Sequence, residues 1–212
     1  MGLIGPNGSG KTTAFNLITG FLTPDAGRIR LAGEEITGLR PHAICAMGVT
    51  RTFQLVRPFP HLSALRNVMV GRIYGRAGGA SMAEAATEAR EILASMGLGG
   101  REDVAARHLT LADRKRLELA RALATRPRVL LLDEFMAGLH PQEVEAAMAL
   151  IRRIRDGGPA VIMIEHIVKA VLGLSDRVIV MNAGQLIAEG PPEAIRRDSR
   201  VIEAYLGGTG DA

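Results

Sequence analysis

The eight residues from Gly5 to Thr12 read GPNGSGKT, and this spacing of glycines, a lysine and a hydroxyl suits the cradling of phosphate. Glycine lets the backbone fold so that successive N–H groups point inward at phosphate oxygens. Gly5, Asn7, Gly8, Ser9, Gly10, Lys11, Thr12 and Thr13 are therefore candidate phosphate-binding residues. Lys11 would neutralise the outer phosphates, and Thr12 would place its hydroxyl on Mg²⁺. A helix behind the loop adds the partial positive charge of its N-terminus.

Two acids, Asp133 and Glu134, follow the apolar residues Val129 to Leu132. Such a strand delivers both to the C-terminal edge of a parallel sheet, where ligands of α/β folds bind. Asp133 can hold Mg²⁺ through water, and Glu134 can orient and polarise an attacking water. Glu165-His166 closes a second apolar run, and a histidine there can sense a terminal phosphate by hydrogen bonding. Gln54 ends a third candidate strand, with an amide oxygen suited to Mg²⁺ or to a positioned water. Each also has an ordinary reading: surface acids, a loop histidine, an exposed glutamine. Company with the phosphate loop gives them weight. The candidate metal ligands are thus Thr12, Gln54 and Asp133, and the candidate catalytic residues Glu134 and His166.

The elements that must position these groups follow from periodicity. A helix is expected from Thr12 to Phe21, a turn at Pro24–Gly27, and a hairpin over Arg28–Ile36 turning at Ala32-Gly33. Gly48–Gln54 is expected as a strand. From about Leu55 to Pro127 the texture is helical, with a Gly-, Ala- and Arg-rich loop near Gly75–Ala80. Ser81 and Glu84 form a capping box for a helix to about Met96, and another helix runs from about Ala112 to Thr125. Arg128–Glu134 and Ala160–His166 read as strands covered on both faces, flanking a helix that opens at Pro141. Arg177–Gly190 reads as a hairpin, and the tail as a short helix. The pattern is α/β, a P-loop parallel-sheet core over residues 1–54 and 128–212 with a helical subdomain over 55–127.

Composition narrows the classes. At 212 residues and 47% hydrophobic, the chain is one domain able to bury a sizeable core. Aromatics are 3%, with no Trp, which speaks against a base-stacking nucleic-acid platform. The net charge of +4, nearly all from Arg, reads mainly as solvated helix faces. A single cysteine, Cys45, excludes an internal disulfide and fits a reducing compartment. No apolar run approaches the roughly 20 residues that cross a bilayer, and no signal peptide is evident. The expectation is a soluble, cytoplasmic chain able to dock on a membrane protein.

A phosphate loop (Walker A) at Gly5–Thr12, a Q-loop at Gln54, a Walker B strand at Val129–Glu134 and a switch histidine at His166 occur in that order. Together they resemble the ATP-binding subunits of ABC transporters. The segments GVTRTFQLVRPFPHLSALRNVMVG, LELARALATRPRVLLLDE, AGLHPQE and IAEGPPEAIRRDSRVIEAYLG are similar to the branched-chain amino acid importers of the LivG type. The resemblance implies ATP and Mg²⁺, and a second ABC ATPase subunit paired head to tail. It also implies transmembrane permease subunits docked near the Q-loop and helical lobe, an external substrate-binding protein, and a place at the cytoplasmic face of the membrane. The substrate would be branched-chain amino acids or a related small polar solute. Two alternatives stand beside this: a non-transport ABC ATPase, and a catalytically weak partner in a heterodimer.

Departures from the family pattern carry their own expectations. The signature segment, usually L-S-G-G-Q, is Leu109-Thr110-Leu111-Ala112-Asp113 here. Thr110 keeps a hydroxyl for the γ-phosphate, and Thr110 and Ala112 are retained as candidate nucleotide contacts. Leu111 and Ala112 add Cβ atoms where backbone must approach phosphate. Asp113 needs compensation from Arg114 or Lys115, and Thr110 with Asp113 also makes a plausible helix cap. His140 stands at the usual D-loop Asp, Phe135 at the usual Pro after Glu134, and Ile167 at a frequent Asp. Only Met1 to Ile4 precede the loop, whereas the family has strands there and an aromatic that stacks on adenine. The expectation is an N-terminally truncated chain with weakened ATP affinity.

Overall fold

The structure, a computed structural model, describes residues 1–54, 56–76 and 78–206. Ala77 in the expected glycine-rich loop and Gly207 of the tail motif lie outside the described residues. In chain order the elements are β1 (Gly2–Ile4), α1 (Lys11–Ile18), β2 (Arg30–Leu31), β3 (Glu34–Glu35), α2 (Pro41–Met47) and β4 (Val49–Arg51). Then come α3 (Ala64–Tyr74), α4 (Met82–Ser95), a 3-10 turn at Ala106–His108, α5 (Leu111–Ala124), β5 (Val129–Asp133) and α6 (Pro141–Asp156). The chain continues through β6 (Ala160–Ile164), α7 (Val168–Leu174), β7 (Val178–Asn182), β8 (Gln185–Gly190), α8 (Pro192–Ile195) and α9 (Ser199–Leu206).

Three consecutive leucines, Leu130 to Leu132, have no solvent exposure, because β5 is covered on both faces. Successive strand side chains point to opposite sides. Leu131 therefore packs with Leu3, Phe15, Ile44, Val49 and Ile164. Leu130 and Leu132 join the other cluster, which runs into α3, α4, α5 and α6 through residues such as Val68, Leu93, Leu117 and Met148. Each such burial contributes about 1.5–3 kcal/mol. One continuous apolar cluster thus joins the helices of the 64–124 stretch to the sheet.

The main sheet runs β4-β5-β6-β1-β7-β8. All neighbours pair in parallel except the antiparallel edge pair β7–β8. Register decides what meets at the sheet edge. Leu3 and Asp133 both stand opposite Ile164, so Ile4, Glu134 and Glu165 come level at the sheet edge, and Gly5 follows one residue further on. Arg51 stands opposite Leu131, so the chain beyond β4 emerges at the same edge.

Local chemistry explains most boundaries. Ser81 and Glu84 form the reciprocal capping box of α4, as their spacing indicates. Pro141 opens α6, where its missing N–H costs nothing. The hairpin β2–β3 turns through Ala32 and Gly33, both at positive φ. Two expectations need correction. Helix α1 ends at Ile18 rather than Phe21, because Gly20 takes a positive φ and stops it. Strand β4 ends at Arg51, so Gln54 lies in a bend beyond the strand, not at its last residue.

Candidate functional site

The phosphate-type loop is folded around its own lysine. Lys11 Nζ donates to Gly5 O and Pro6 O, each at 2.8 Å, and to Ser9 Oγ at 3.4 Å. The loop is anchored to the β7–β8 turn through Gly184 N–H to Ser9 O at 3.1 Å. Asn7, Gly8, Thr12 and Thr13 are exposed on its outer surface. Gly10 caps α1 at φ 99° without any side-chain bond, which leaves first-turn N–H groups open to an anion. Lys11 is 6% exposed. Burial lowers its pKa from the ordinary lysine value, opposed by the charges of Glu134 and then Asp133. Those two acids therefore face the loop.

Gly5 is the residue this loop can least change. Its φ is +152°, and a Cβ there would sit 2.1 Å from Met181 O and 2.7 Å from Ser9 Oγ. Gly5→Ala is expected to lose about 1–3 kcal/mol from backbone strain alone, before the clash is counted. Urea denaturation checks this; an unchanged midpoint would refute it.

Glu134 is the centre of the acid side. It takes a left-handed φ of 48°, rare outside glycine. Its N–H is held by Ile164 O at 2.9 Å. Gln54 Nε2 donates to Glu134 Oε2 at 2.7 Å. His166 Nε2 lies 3.0 Å from Glu134 Oε1. Both carboxylate oxygens are thereby oriented by residues far apart in sequence, and both partners are solvent-exposed.

Asp133 is not free. It pairs with Arg51 Nη2, with side-chain exposures of 2% and 5%. Arg51 also donates from Nη1 to Asn16 Oδ1 at 2.6 Å and lies over the rings of Phe15 and Phe53, 5.4 and 5.1 Å from their centres. Sequence reading missed Arg51 and Asn16. The available signal was a charged residue inside a short strand, which demands a buried partner.

The signature segment stays outside this cluster in the single chain. Thr110 Oγ1 accepts from Asp113 N–H at 3.2 Å as the N-cap of α5, the alternative open from sequence. Ala112 is half-buried in the first turn. Among the described residues, no hydrogen bond or ion pair joins Thr110 or Ala112 to Lys11, Glu134 or His166. Asp113 is compensated, but by Arg101 and Arg116 rather than by Arg114 or Lys115. Lys115 turns instead to Phe135 O at 2.7 Å. His140 serves as the N-cap of α6 with Glu143.

The donor set fits a hard divalent cation. Thr12, Gln54 and Asp133 offer a hydroxyl, an amide oxygen and a carboxylate, all oxygen ligands of the kind Mg²⁺ takes. Among the described residues no group of three or more His, Cys, Asp or Glu is placed to hold a metal. A cation shared with substrate phosphates does not need such a cage. No helix of the described residues is long and apolar enough to cross a membrane.

Comparisons with known proteins agree on the kind of chain this is. Residues 1–137 match the family model described as ABC transporter, and residues 185–211 match that of the branched-chain amino acid ATP-binding cassette transporter. The chain is 43% identical over 97% of its length to the high-affinity branched-chain amino acid transport ATP-binding protein BraF of Pseudomonas aeruginosa, covering 86% of that protein. It is 41% identical to the corresponding LivG protein of Escherichia coli, with the same coverage of both chains. Among solved structures it resembles the ADP conformation of an ATP-binding cassette of an ABC transporter, with a TM-score of 0.85 and 32% identity, covering 97% of this chain and 87% of that one. A dimeric, post-hydrolysis cassette bound to ADP and Pi matches with a TM-score of 0.80 at 25% identity, covering 90% of this chain and 84% of that one.

Proposed function

This chain belongs to the ABC transporter family of ATP-hydrolysing cassettes, and from that membership we propose that it energises import of branched-chain amino acids or a related small polar solute. The observation that carries the site assignment is the convergence on Glu134 of Gln54 and His166, beside Lys11 and Asp133. Lys11 and the N–H groups of residues 7–13 hold the phosphates of ATP. Thr12, Gln54 and Asp133 would hold Mg²⁺, which would supply neutralisation of charge on those phosphates. Glu134 orients and polarises the attacking water. His166 fixes the Glu134 carboxylate from one side and Gln54 from the other, so the general base keeps its geometry.

Thr110 and Ala112, on the start of α5, serve the nucleotide of a second cassette paired head to tail. That accounts for their separation from the cluster within one chain. Residues 55–127 act as the helical lobe. A groove of about 500 Å³ between that lobe and β4 is lined by Phe21, Phe53, Arg57, Phe59 and Tyr74, and it suits permease subunits. The chain sits peripherally at the cytoplasmic face of the membrane, and an external binding protein delivers solute to the permease.

Reconstitution of the chain with its permease subunits and binding protein in liposomes tests the reading. ATP-driven accumulation of labelled leucine, isoleucine or valine is expected. Hydrolysis with no uptake of any of the three would remove the substrate assignment and leave the ATPase.

A further inference from the structure

The peptide unit between Phe135 and Met136 is held from both sides by buried charged groups. Lys115 Nζ donates to its carbonyl, Phe135 O, at 2.7 Å. Its N–H, on Met136, donates to Glu165 Oε1 at 2.9 Å. Lys115 is 4% exposed and Glu165 3%. The Lys115 ammonium also lies 5.7 Å from the centre of the Phe135 ring. Phe135 stands where the family usually has proline, so this aromatic contact belongs to this chain's own sequence.

Burying two charges is costly unless they are paired and bonded. Both groups show that tension. Burial lowers the Lys115 pKa, opposed by Glu165 and Glu118. Burial raises the Glu165 pKa, opposed by the Met136 N–H and by Lys115.

The clamped peptide sits one residue beyond Glu134, whose left-handed backbone must be held in place by its surroundings. Ala137 N–H bonds Glu134 O at 3.1 Å, closing the turn. The two clamping residues come from the other segments of interest. Lys115 lies in α5, just beyond its Thr110 cap, and Glu165 directly precedes His166. Three segments distant in sequence thus meet at a single peptide bond.

We infer that Lys115 and Glu165 are positioning residues that set the backbone of Glu134, keep its carboxylate between Gln54 and His166, and tie the start of α5 to that reacting group. The inference rests on Glu134 being the group that activates water. A displacement of the order of 1 Å in such a group costs about 100-fold in rate.

The test compares Lys115→Met, Lys115→Arg, Glu165→Gln and Glu165→Leu in the full chain assembled with its permease subunits. It measures kcat, KM for ATP with Mg²⁺, and the stoichiometry of a fluorescent ATP analogue. Lys115→Met is expected to lower kcat per bound nucleotide by about 10- to 100-fold with KM unchanged. Lys115→Arg, which can still donate to Phe135 O, restores most of it. Glu165→Gln keeps an acceptor for the Met136 N–H and retains turnover, whereas Glu165→Leu loses it. A purely structural role would lower the melting temperature and the bound fraction but leave kcat per bound nucleotide unchanged, and that result overturns the inference. Should Lys115→Met not fold, the two Glu165 variants decide, and equal turnover in both overturns it. An unsubstituted assembled complex with no turnover would overturn the reading of Glu134 and the inference with it. Failure of the inference alone looks different: the unsubstituted chain hydrolyses ATP and the variants match it.

Discussion

Glu134→Gln is expected to lower kcat for ATP hydrolysis by about 10²- to 10⁴-fold while leaving nucleotide affinity nearly unchanged. The side chain keeps its volume and one oxygen, so the hydrogen bond from Gln54 survives. What disappears is the carboxylate proposed to accept a proton from the attacking water. Lys11, the proposed phosphate ligand, keeps its loop bonds to Gly5 O and Pro6 O. Removing a negative charge near Lys11 also removes one of the two acids that raise its pKa, so phosphate binding is not weakened by lost attraction. Steady-state hydrolysis together with nucleotide titration measures the split. Unchanged kcat would show that Glu134 is not the base, and would take the proposed mechanism with it.

Arg51→Met is expected to destabilise the chain by about 3–5 kcal/mol, the usual cost of breaking a buried ion pair by removing one partner. Asp133, 2% exposed, would be left charged against β4 with no cation in contact. Asn16 Oδ1 would lose its donor as well, and the rings of Phe15 and Phe53 their cation. The companion Arg51→Met/Asp133→Leu should recover much of that loss, because neither buried charge then remains. It should not recover hydrolysis, since Asp133 is the proposed Mg²⁺ ligand. Urea melts of the two variants and the parent decide. Equal stability of Arg51→Met and the parent would mean that the pair contributes nothing, as an exposed pair would.

The two results separate what sequence reveals from what it hides. The phosphate loop is legible because its chemistry is local. Glycines, lysine and hydroxyl must follow one another for a single turn to cradle phosphate. Strand β5 is legible for a similar reason: a short run of apolar residues ending in Asp133-Glu134 suits a covered strand delivering acids to an edge. The capping box at Ser81 and Glu84 and the proline opening α6 are also short-range signals. Gln54 and His166 were legible as candidates, and their order along the chain carried the family resemblance.

Partners were not legible. No rule of spacing says that Arg51 should reach Asp133, that Asp113 should take Arg101 from outside its helix, or that Lys115 and Glu165 should close on one peptide. Those choices depend on which strands are adjacent and in what register. Leu3, Ile164 and Asp133 line up only after β1 and β5 have both paired with β6. From its residue types alone the chain specified a P-loop α/β fold, the groups capable of phosphate chemistry, and the family to which they point. Tertiary structure alone decided that the buried Arg51 and Asp133 neutralise one another and how the Glu134 carboxylate is aimed, because the contacts Arg51–Asp133, Gln54–Glu134 and His166–Glu134 join residues 82, 80 and 32 apart.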